Sequence, residues 1–358
     1  MYTPIAIRYR PAKFSEVVGQ EVTKRILSNS ILMNRVISSM LISGFKGSGK
    51  TTLARLYGGA LNCQNFSGDL CGVCDSCKSL LDQNHPDIFE FDAASNNGVD
   101  FVRGLEDVVT CVPFYKRRVF IFDEAHMFTP QAQAALLKLL EECPAVTFMF
   151  VTTDVSRLEK TLTSRCLSMP LQSLKTVDIE KSLRYVLSKE KVEYTDDFVV
   201  GLASIGVNLS LRDTQQILDQ AITMYGGQIL TGECLDSFDV ISSRQYSILA
   251  GMLCSRNLPH CLASIESLYG DGFDLKKLFL EGVPNFLRDC SFFLNGLTGG
   301  FSYLTGLSVE LFRNKLTLDL ASVKLLFKSW ETLEPMMRET DDPRSIWSLF
   351  CVDISGVA

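Results

Sequence analysis

Gly44-Phe45-Lys46-Gly47-Ser48-Gly49-Lys50-Thr51 fits the pattern G-x-x-x-x-G-K-[ST] at every position. The pattern has a mechanical reason. Its glycines let successive backbone N–H groups turn inward around phosphate oxygens, and a helix that follows adds the positive end of its dipole. Lys50 is then placed to reach β- and γ-phosphates, and Thr51 to hold Mg²⁺. Context decides against a chance glycine-rich turn: residues 40–43 read as a short strand before the loop, and a helix is expected from Thr52. Gly58 and Gly59 lie inside that helix, where each costs about 1 kcal/mol against alanine. Close packing against the helix is the expected explanation.

Further along, Val119-Phe120-Ile121-Phe122 runs straight into Asp123 and Glu124. A buried strand ending in acids delivers them to the C-terminal edge of a parallel sheet, beside the phosphate loop. Asp123 is expected to orient the Mg²⁺ shell, and Glu124 to position or deprotonate an attacking water. Two acids after a strand can also cap the next helix, but the phosphate loop favours the hydrolytic reading. Residues 87–91 and 146–151 read as further strands. In 130–142, Ala132, Ala135, Leu136, Leu139 and Leu140 recur at helical spacing. Residues 1–170 are therefore expected to form an α/β domain with a parallel sheet and crossover helices. Over 171–230 the strand signal fades to amphipathic helices around 177–187 and 211–222. Residues 231–358 are helical in pattern and rich in aromatics, including Phe279, Phe286, Trp330 and Trp347.

Bulk composition narrows the class. A length of 358 residues, 46% hydrophobic and 21% charged, suits a folded protein of two or three domains. No run approaches the roughly 20 apolar residues that span a bilayer, and no basic stretch leads into an apolar segment at the N-terminus. A cytoplasmic protein without membrane contact is expected. The net charge of −6 argues against a surface that coats DNA all round, though not against one basic face.

Four of the twelve cysteines cluster as Cys63-x₇-Cys71-x₂-Cys74-x₂-Cys77. Four thiolates so close suffice for a closed tetrahedral Zn²⁺ site, with Gly68 and Gly72 allowing the turns that converge them. An iron–sulfur cluster is the rival, but the ferredoxin run continues with a fourth Cys-Pro, whereas Lys78-Ser79-Leu80-Leu81 follows here. Unmetallated thiols are the third possibility. Four protein ligands leave no open coordination position, so the expected role is structural. The other eight cysteines read as small buried hydrophobes. His85 and His126 fit no ligand spacing with the cluster.

Several separated stretches together resemble the bacterial DNA polymerase III clamp-loader gamma/tau family. They are Tyr9-Arg10-Pro11 with Val17-Val18-Gly19-Gln20, Asp92 to Asp100, Asp123-Glu124-Ala125-His126-Met127, the helix ending Glu141-Glu142, and Ser164-Arg165-Cys166. The resemblance is dense over residues 8–222 and faint beyond. It implies an AAA+ domain with an inserted zinc module at about 63–77, a small helical lid (171–230) and an all-α collar (231–358). It implies ATP, Mg²⁺ and Zn²⁺ as cofactors. It also implies an open five-subunit ring with delta, delta-prime and further gamma/tau copies, acting on a sliding clamp and primed DNA. By the same resemblance Tyr9, Arg10, Pro11, Val17 and Val18 lie against the adenine, and Gly44 to Thr52 hold the phosphates. Arg165 would serve a neighbouring subunit's ATP, Thr152 or Thr153 would sense the γ-phosphate, and Arg212 would contact ATP from the lid. Ser210 to Asp213 fits a capping box, which places Arg212 in a helix's first turn.

The chain departs from the family pattern at Glu142-Cys143-Pro144, where two prolines are usual, in Arg157-Leu158-Glu159-Lys160, which lacks the usual proline, and at Asn208-Leu209-Ser210, where a glycine usually precedes the lid motif. None of these removes a charged catalytic group. DNA contacts are weakly signalled at Asn96, Asn97 and Arg103, near a helix start whose N–H groups would bind phosphate without sequence preference; a solvated helix explains them as well. The expected function is an ATPase that opens and loads the clamp, within the polymerase holoenzyme but not itself polymerising. The alternatives are a non-hydrolysing subunit of the same ring or another AAA+ DNA-processing motor.

Overall fold

The computed structural model describes residues 2–207, 209–238, 243–296 and 318–355. They form two compact units. The first runs to Asp178 and takes in Ser210–Arg212; the second comprises Ile179–Leu209 and the chain from Asp213 onward.

The first unit is built on five strands, β1 (Ser39–Ser43), β2 (Ile88–Asp92), β3 (Val119–Asp123), β4 (Thr147–Thr152) and β5 (Leu167–Pro170). They are ordered β2-β3-β4-β1-β5, and every neighbouring pair is parallel. Strands covered on both faces read as unbroken apolar runs, and β3 and β4 do. Their side chains alternate between two cores. Val119, Ile121, Met149 and Val151 join the core beneath helix Lys50–Asn62. Phe120, Phe122, Phe148 and Phe150 face helix Pro130–Glu142, with Phe120 stacked on Phe148 at 5.6 Å and Phe122 on Phe150 at 5.5 Å.

Strand β5 is not evident in the sequence. It pairs only with β1 and buries Met169 alone, so neither an apolar run nor a clean alternation marks it. Pro170 closes it, as an edge strand permits. The helix after the phosphate loop starts at Lys50 rather than at Thr52, with left-handed Gly49 before it. Its internal glycines are contact positions. A Cβ on Gly58 would press on Val119 and Ile88 of the sheet at 3.2 and 3.3 Å, and one on Gly59 would collide with Leu80 of helix Asp75–Leu81.

The second unit is helical. Thr176–Glu190 (from Ile179), Asp196–Gly206 and Leu211–Tyr225 (from Asp213) come first; the middle one lies where no amphipathic stretch was expected, because it is buried around much of its circumference. Later helices enclose Trp347, Phe279, Phe286 and Phe350. Both indoles are satisfied, Trp347 Nε1 donating to Leu275 O at 2.8 Å and Trp330 Nε1 to Phe279 O at 2.9 Å. Among the described residues no helix is long and apolar enough to cross a membrane.

Candidate nucleotide site and cysteine module

The phosphate loop joins the end of β1 to helix Lys50–Asn62, and its shape depends on glycine. Gly47 and Gly49 have φ of 72° and 92°, a region costly for residues with a Cβ. Lys50 is buried and its Nζ donates to the carbonyls of Gly44 (3.1 Å) and Phe45 (3.0 Å). Burial lowers its pKa, and the nearby carboxylates of Glu124 and Asp123 work in the other direction. Ser48 Oγ is buried with no hydrogen-bond partner among the described residues, which fits a loop shaped to surround a polyanion. Phe45 and Lys46 are exposed within the loop, and Thr52 lies in the first turn of the helix.

Opposite the loop, β3 delivers Asp123. Thr51 Oγ1 donates to Asp123 Oδ2 at 2.7 Å, so the hydroxyl and carboxylate expected on one Mg²⁺ are already together. Glu124 follows in a left-handed conformation, φ 48°, which costs of order 1–3 kcal/mol and clusters at functional sites. Its Oε2 accepts from Thr153 Oγ1 at 3.3 Å and lies 3.4 Å from His126 Nδ1. Thr152 differs from its neighbour. It is fully buried, with Oγ1 donating to Asp154 O and accepting from Asp154 N, each at 3.0 Å.

A cavity of about 600 Å³ opens beside these acids, lined among others by Arg55, Glu90, Asp92, Asp123 and Glu124. Arg55 Nη2 donates to Glu90 Oε1 at 2.7 Å. Arg55 and Glu90 were not singled out from the sequence, and Asp92 only as the start of the stretch Asp92 to Asp100. Asp92 had a usable signal, since it ends β2 as Asp123 ends β3 and the two are paired in register.

The N-terminal segment reaches the same place. Arg10 has a lowered pKa, chiefly from burial of its guanidinium and from Arg55, with Glu90 and Asp123 opposing and Arg212 adding to the repulsion. Arg212 is exposed in the first turn of Leu211–Tyr225. Ser210 packs on the loop itself: a Cβ on Gly47 would overlap its side chain. Tyr9 lies under the Arg8 guanidinium, 5.8 Å from the ring centroid. Pro11 follows Arg10, Val17 is buried in the core shared with the cysteines, and Val18 is partly buried.

Arg165 stands apart from this group. Ser39 Oγ, at the start of β1, donates to its carbonyl at 2.6 Å, whereas the phosphate loop leaves the far end of that strand. Asn96 turns back onto its own chain, its Nδ2 donating to Asp92 O at 3.1 Å. Asn97 O accepts from Thr129 N, and Arg103 pairs loosely with Asp100 at 3.6 Å. These three are not gathered into one surface by any contact with each other.

Cys63, Cys71, Cys74 and Cys77 converge, with all four sulfurs within 4.8 Å of one another. Cys71 Sγ lies 3.8 Å and Cys63 Sγ 3.7 Å from Cys77 Sγ. Tetrahedral Zn–S bonds of about 2.3 Å put sulfurs roughly 3.8 Å apart, so the residues fit zinc. Backbone N–H groups of Val73 and Cys74 lower the Cys71 thiol to about 6, while burial raises Cys63 and Cys77. Gly68 and Gly72, with φ of 107° and 74°, make the turns.

Comparison with known proteins gives relatives for the chain as a whole. A family model described as DNA polymerase III, delta subunit, matches residues 19–175. DNA polymerase III subunit gamma of Buchnera aphidicola subsp. Acyrthosiphon pisum is 31% identical over 283 residues, 78% of each chain. Subunit gamma/tau of Mycoplasma pneumoniae is 41% identical over 60% of this chain, and subunit tau of Escherichia coli 34% identical over 78%. The chain spans 31% of the former's length and 44% of the latter's. A solved Thermotoga maritima RuvB mutant shares the fold, with TM-score 0.50 at 18% identity over 79% of this chain and 81% of that one.

Proposed function

The chain belongs to the DNA polymerase III gamma/tau family, and on that premise we propose that it is an ATP-hydrolysing motor subunit of a clamp loader. The observation that carries the reading is the bond from Thr51 Oγ1 to Asp123 Oδ2 at 2.7 Å, beside the buried ammonium of Lys50. In this proposal the loop amides of Gly44 to Thr51 and the Lys50 ammonium hold the triphosphate. Thr51 and Asp123 would hold Mg²⁺, which would supply charge neutralisation to the triphosphate. Glu124 orients and deprotonates the attacking water. Thr153 is assigned the γ-phosphate-sensing role over Thr152, because it is exposed with its hydroxyl on Glu124, whereas Thr152 is spent on the Asp154 turn. Tyr9 to Val18 form the adenine side, and Arg212 reaches ATP from the lid.

Arg165 serves a neighbouring subunit, since its backbone sits at the far end of β1 from its own loop. The assembly proposed is a five-subunit ring with delta, delta-prime and further gamma/tau copies, in the cytoplasm. Residues 171–230 act as the lid and 231–358 as the collar. Zn²⁺ on the four cysteines is structural. Asn96, Asn97 and Arg103 face primed DNA, and the sliding clamp is the object loaded. ATP binding favours the clamp-holding state and hydrolysis releases it. The test is DNA-stimulated ATP turnover and clamp loading by the reconstituted ring. Lys50→Ala is expected to abolish both; turnover that survives it unchanged rules the site out.

A further inference from the structure

The loop between the first two cysteines does more than close a metal site. Asp69 points its carboxylate out of it and onto the N-terminal segment. Oδ1 accepts from Phe14 N at 2.8 Å and from Leu70 N at 2.8 Å, and Oδ2 accepts from Ser15 N at 3.0 Å. Phe14 and Ser15 open a short 3₁₀ turn, Phe14–Glu16, whose preceding residue Lys13 gives no side-chain cap. The first N–H groups of such a turn have no partner within it. Asp69 therefore acts as a cap supplied from more than fifty residues away.

Other contacts hold the loop and the segment in place. Ser28 Oγ, in the following helix Glu21–Leu32, donates to Gly68 O at 2.5 Å. A Cβ on Gly72 would meet the Lys13 side chain at 3.3 Å. Phe14 and Val17 share one hydrophobic core with Leu70, Cys63, Cys74 and Cys77. Four residues before Phe14 lies Arg10, in the electrostatic field of Asp123 and Glu90. The chain of contact thus runs from the sulfur cluster through Asp69 to the backbone that presents Arg10.

We propose that Asp69 is a positioning residue for nucleotide binding, coupling closure of the four-cysteine module to the placement of residues 10–18. The proposal rests on the reading of that segment as one wall of the nucleotide pocket. When the sulfurs converge, both ends of the seven-residue loop 64–70 are fixed, and Asp69 holds Phe14 and Ser15. When they separate, the loop regains freedom, the cap is lost, and Arg10 approaches the site from an unordered segment.

The experiment titrates a fluorescent ATP analogue into the full chain, with zinc content and Tm measured on the same samples. Asp69→Ala is expected to weaken binding roughly tenfold, the scale of losing charge-assisted backbone hydrogen bonds, while zinc content stays at wild type. Asp69→Asn is expected to fall between, because its Oδ1 still accepts from Phe14 and Leu70. Stripping zinc from wild type is expected to weaken binding at least as much, and to add little to Asp69→Ala, since the two act through one connection. Tyr246→Phe, which removes a hydrogen bond to Asp289 in the second unit, controls for general loss of stability and is expected to lower Tm without moving affinity. Lys50→Ala calibrates the site itself. If it abolishes binding while Asp69→Ala binds like wild type, or if the Asp69→Ala and stripping losses simply add, the coupling is overturned. If Lys50→Ala binds like wild type, the nucleotide site is what fails. Should Asp69→Ala not fold or not hold zinc, Asp69→Asn decides by the same comparison.

Discussion

The Arg165 guanidinium is clasped by Glu141, with Nε 2.9 Å and Nη2 2.7 Å from the same carboxylate oxygen. Glu141 lies in the last turn of helix Pro130–Glu142, and both side chains are exposed. An exposed pair of this kind is worth at most about 1 kcal/mol, little enough for a stronger anionic partner to displace. A phosphate offered by another subunit is such a partner.

Arg165→Ala is accordingly expected to leave nucleotide binding and basal turnover of the isolated chain within twofold of wild type. In the assembled ring the same change should lower turnover roughly 10³-fold, the scale of an arginine finger. Equal losses in the isolated chain and in the ring would place Arg165 in its own site and contradict this arrangement. ATPase assays at matched protein concentrations read the difference.

Glu124→Gln and the two threonines separate chemistry from framework. Glu124→Gln is expected to retain ATP affinity and to lose turnover by about 10²–10⁴-fold, as removal of a general base does. Thr153→Ala should lower turnover with little change in Tm, because its hydroxyl is exposed and, among the described residues, bonds the Glu124 carboxylate alone. Thr152→Ala should instead cost about 1–3 kcal/mol of stability, since the fully buried hydroxyl makes two hydrogen bonds to the partly buried Asp154 backbone and one with His126, all of which are lost. Calorimetry and turnover on the same preparations give both quantities. A Thr152→Ala protein as stable as wild type would refute the distinction.

Glycine-to-alanine changes should differ in sign with packing. Gly59→Ala gains about 1 kcal/mol of helix propensity, but its Cβ runs into Leu80, and overpacking costs about 1–3 kcal/mol. A net loss is expected. Gly251, inside helix Ser243–Ser255, has nothing within 4 Å of the added carbon, so Gly251→Ala should gain up to about 1 kcal/mol. Urea denaturation of the two variants tests the ordering.

Acid should act through His85. Its Nδ1 accepts from Asp87 N at 3.1 Å, so the proton sits on Nε2, 2.9 Å from Ser76 Oγ. Burial lowers its pKa, with Asp87 opposing. Below about pH 6.5 the unfolded chain therefore binds a proton that the folded one refuses, and stability falls as pH drops, by at most about 1.4 kcal/mol for each pH unit between the two midpoints. His85→Gln is expected to be less stable at pH 7 and to show a flatter curve from pH 7 to 5. A parallel pair of curves would assign the acid sensitivity elsewhere.

The sequence by itself determined the candidate site's residue types and most of the scaffold. The phosphate loop, the acids after β3 and the four cysteines are each local patterns, because their chemistry needs fixed residue types at short spacing. Strands β1 to β4 came within one residue of their bounds: β1, β3 and β4 because a strand buried on both faces must be apolar almost throughout, and the partly buried β2 because Ile88, Phe89 and Phe91 are strong strand formers. The edge strand β5 and helix Asp196–Gly206 were hidden by the same logic, one too little buried to need a pattern and the other too evenly buried to show one. What only the tertiary structure decided are the long-range pairings. They include Asp92 beside Asp123, Thr153 rather than Thr152 on Glu124, Arg165 at the far end of β1, Gly58 and Gly59 as contact points, and Asp69 capping Phe14. Each joins residues tens of positions apart through strand register, hydrogen bonds or packing surfaces, and the choice of a distant partner is not written in the local pattern on either side.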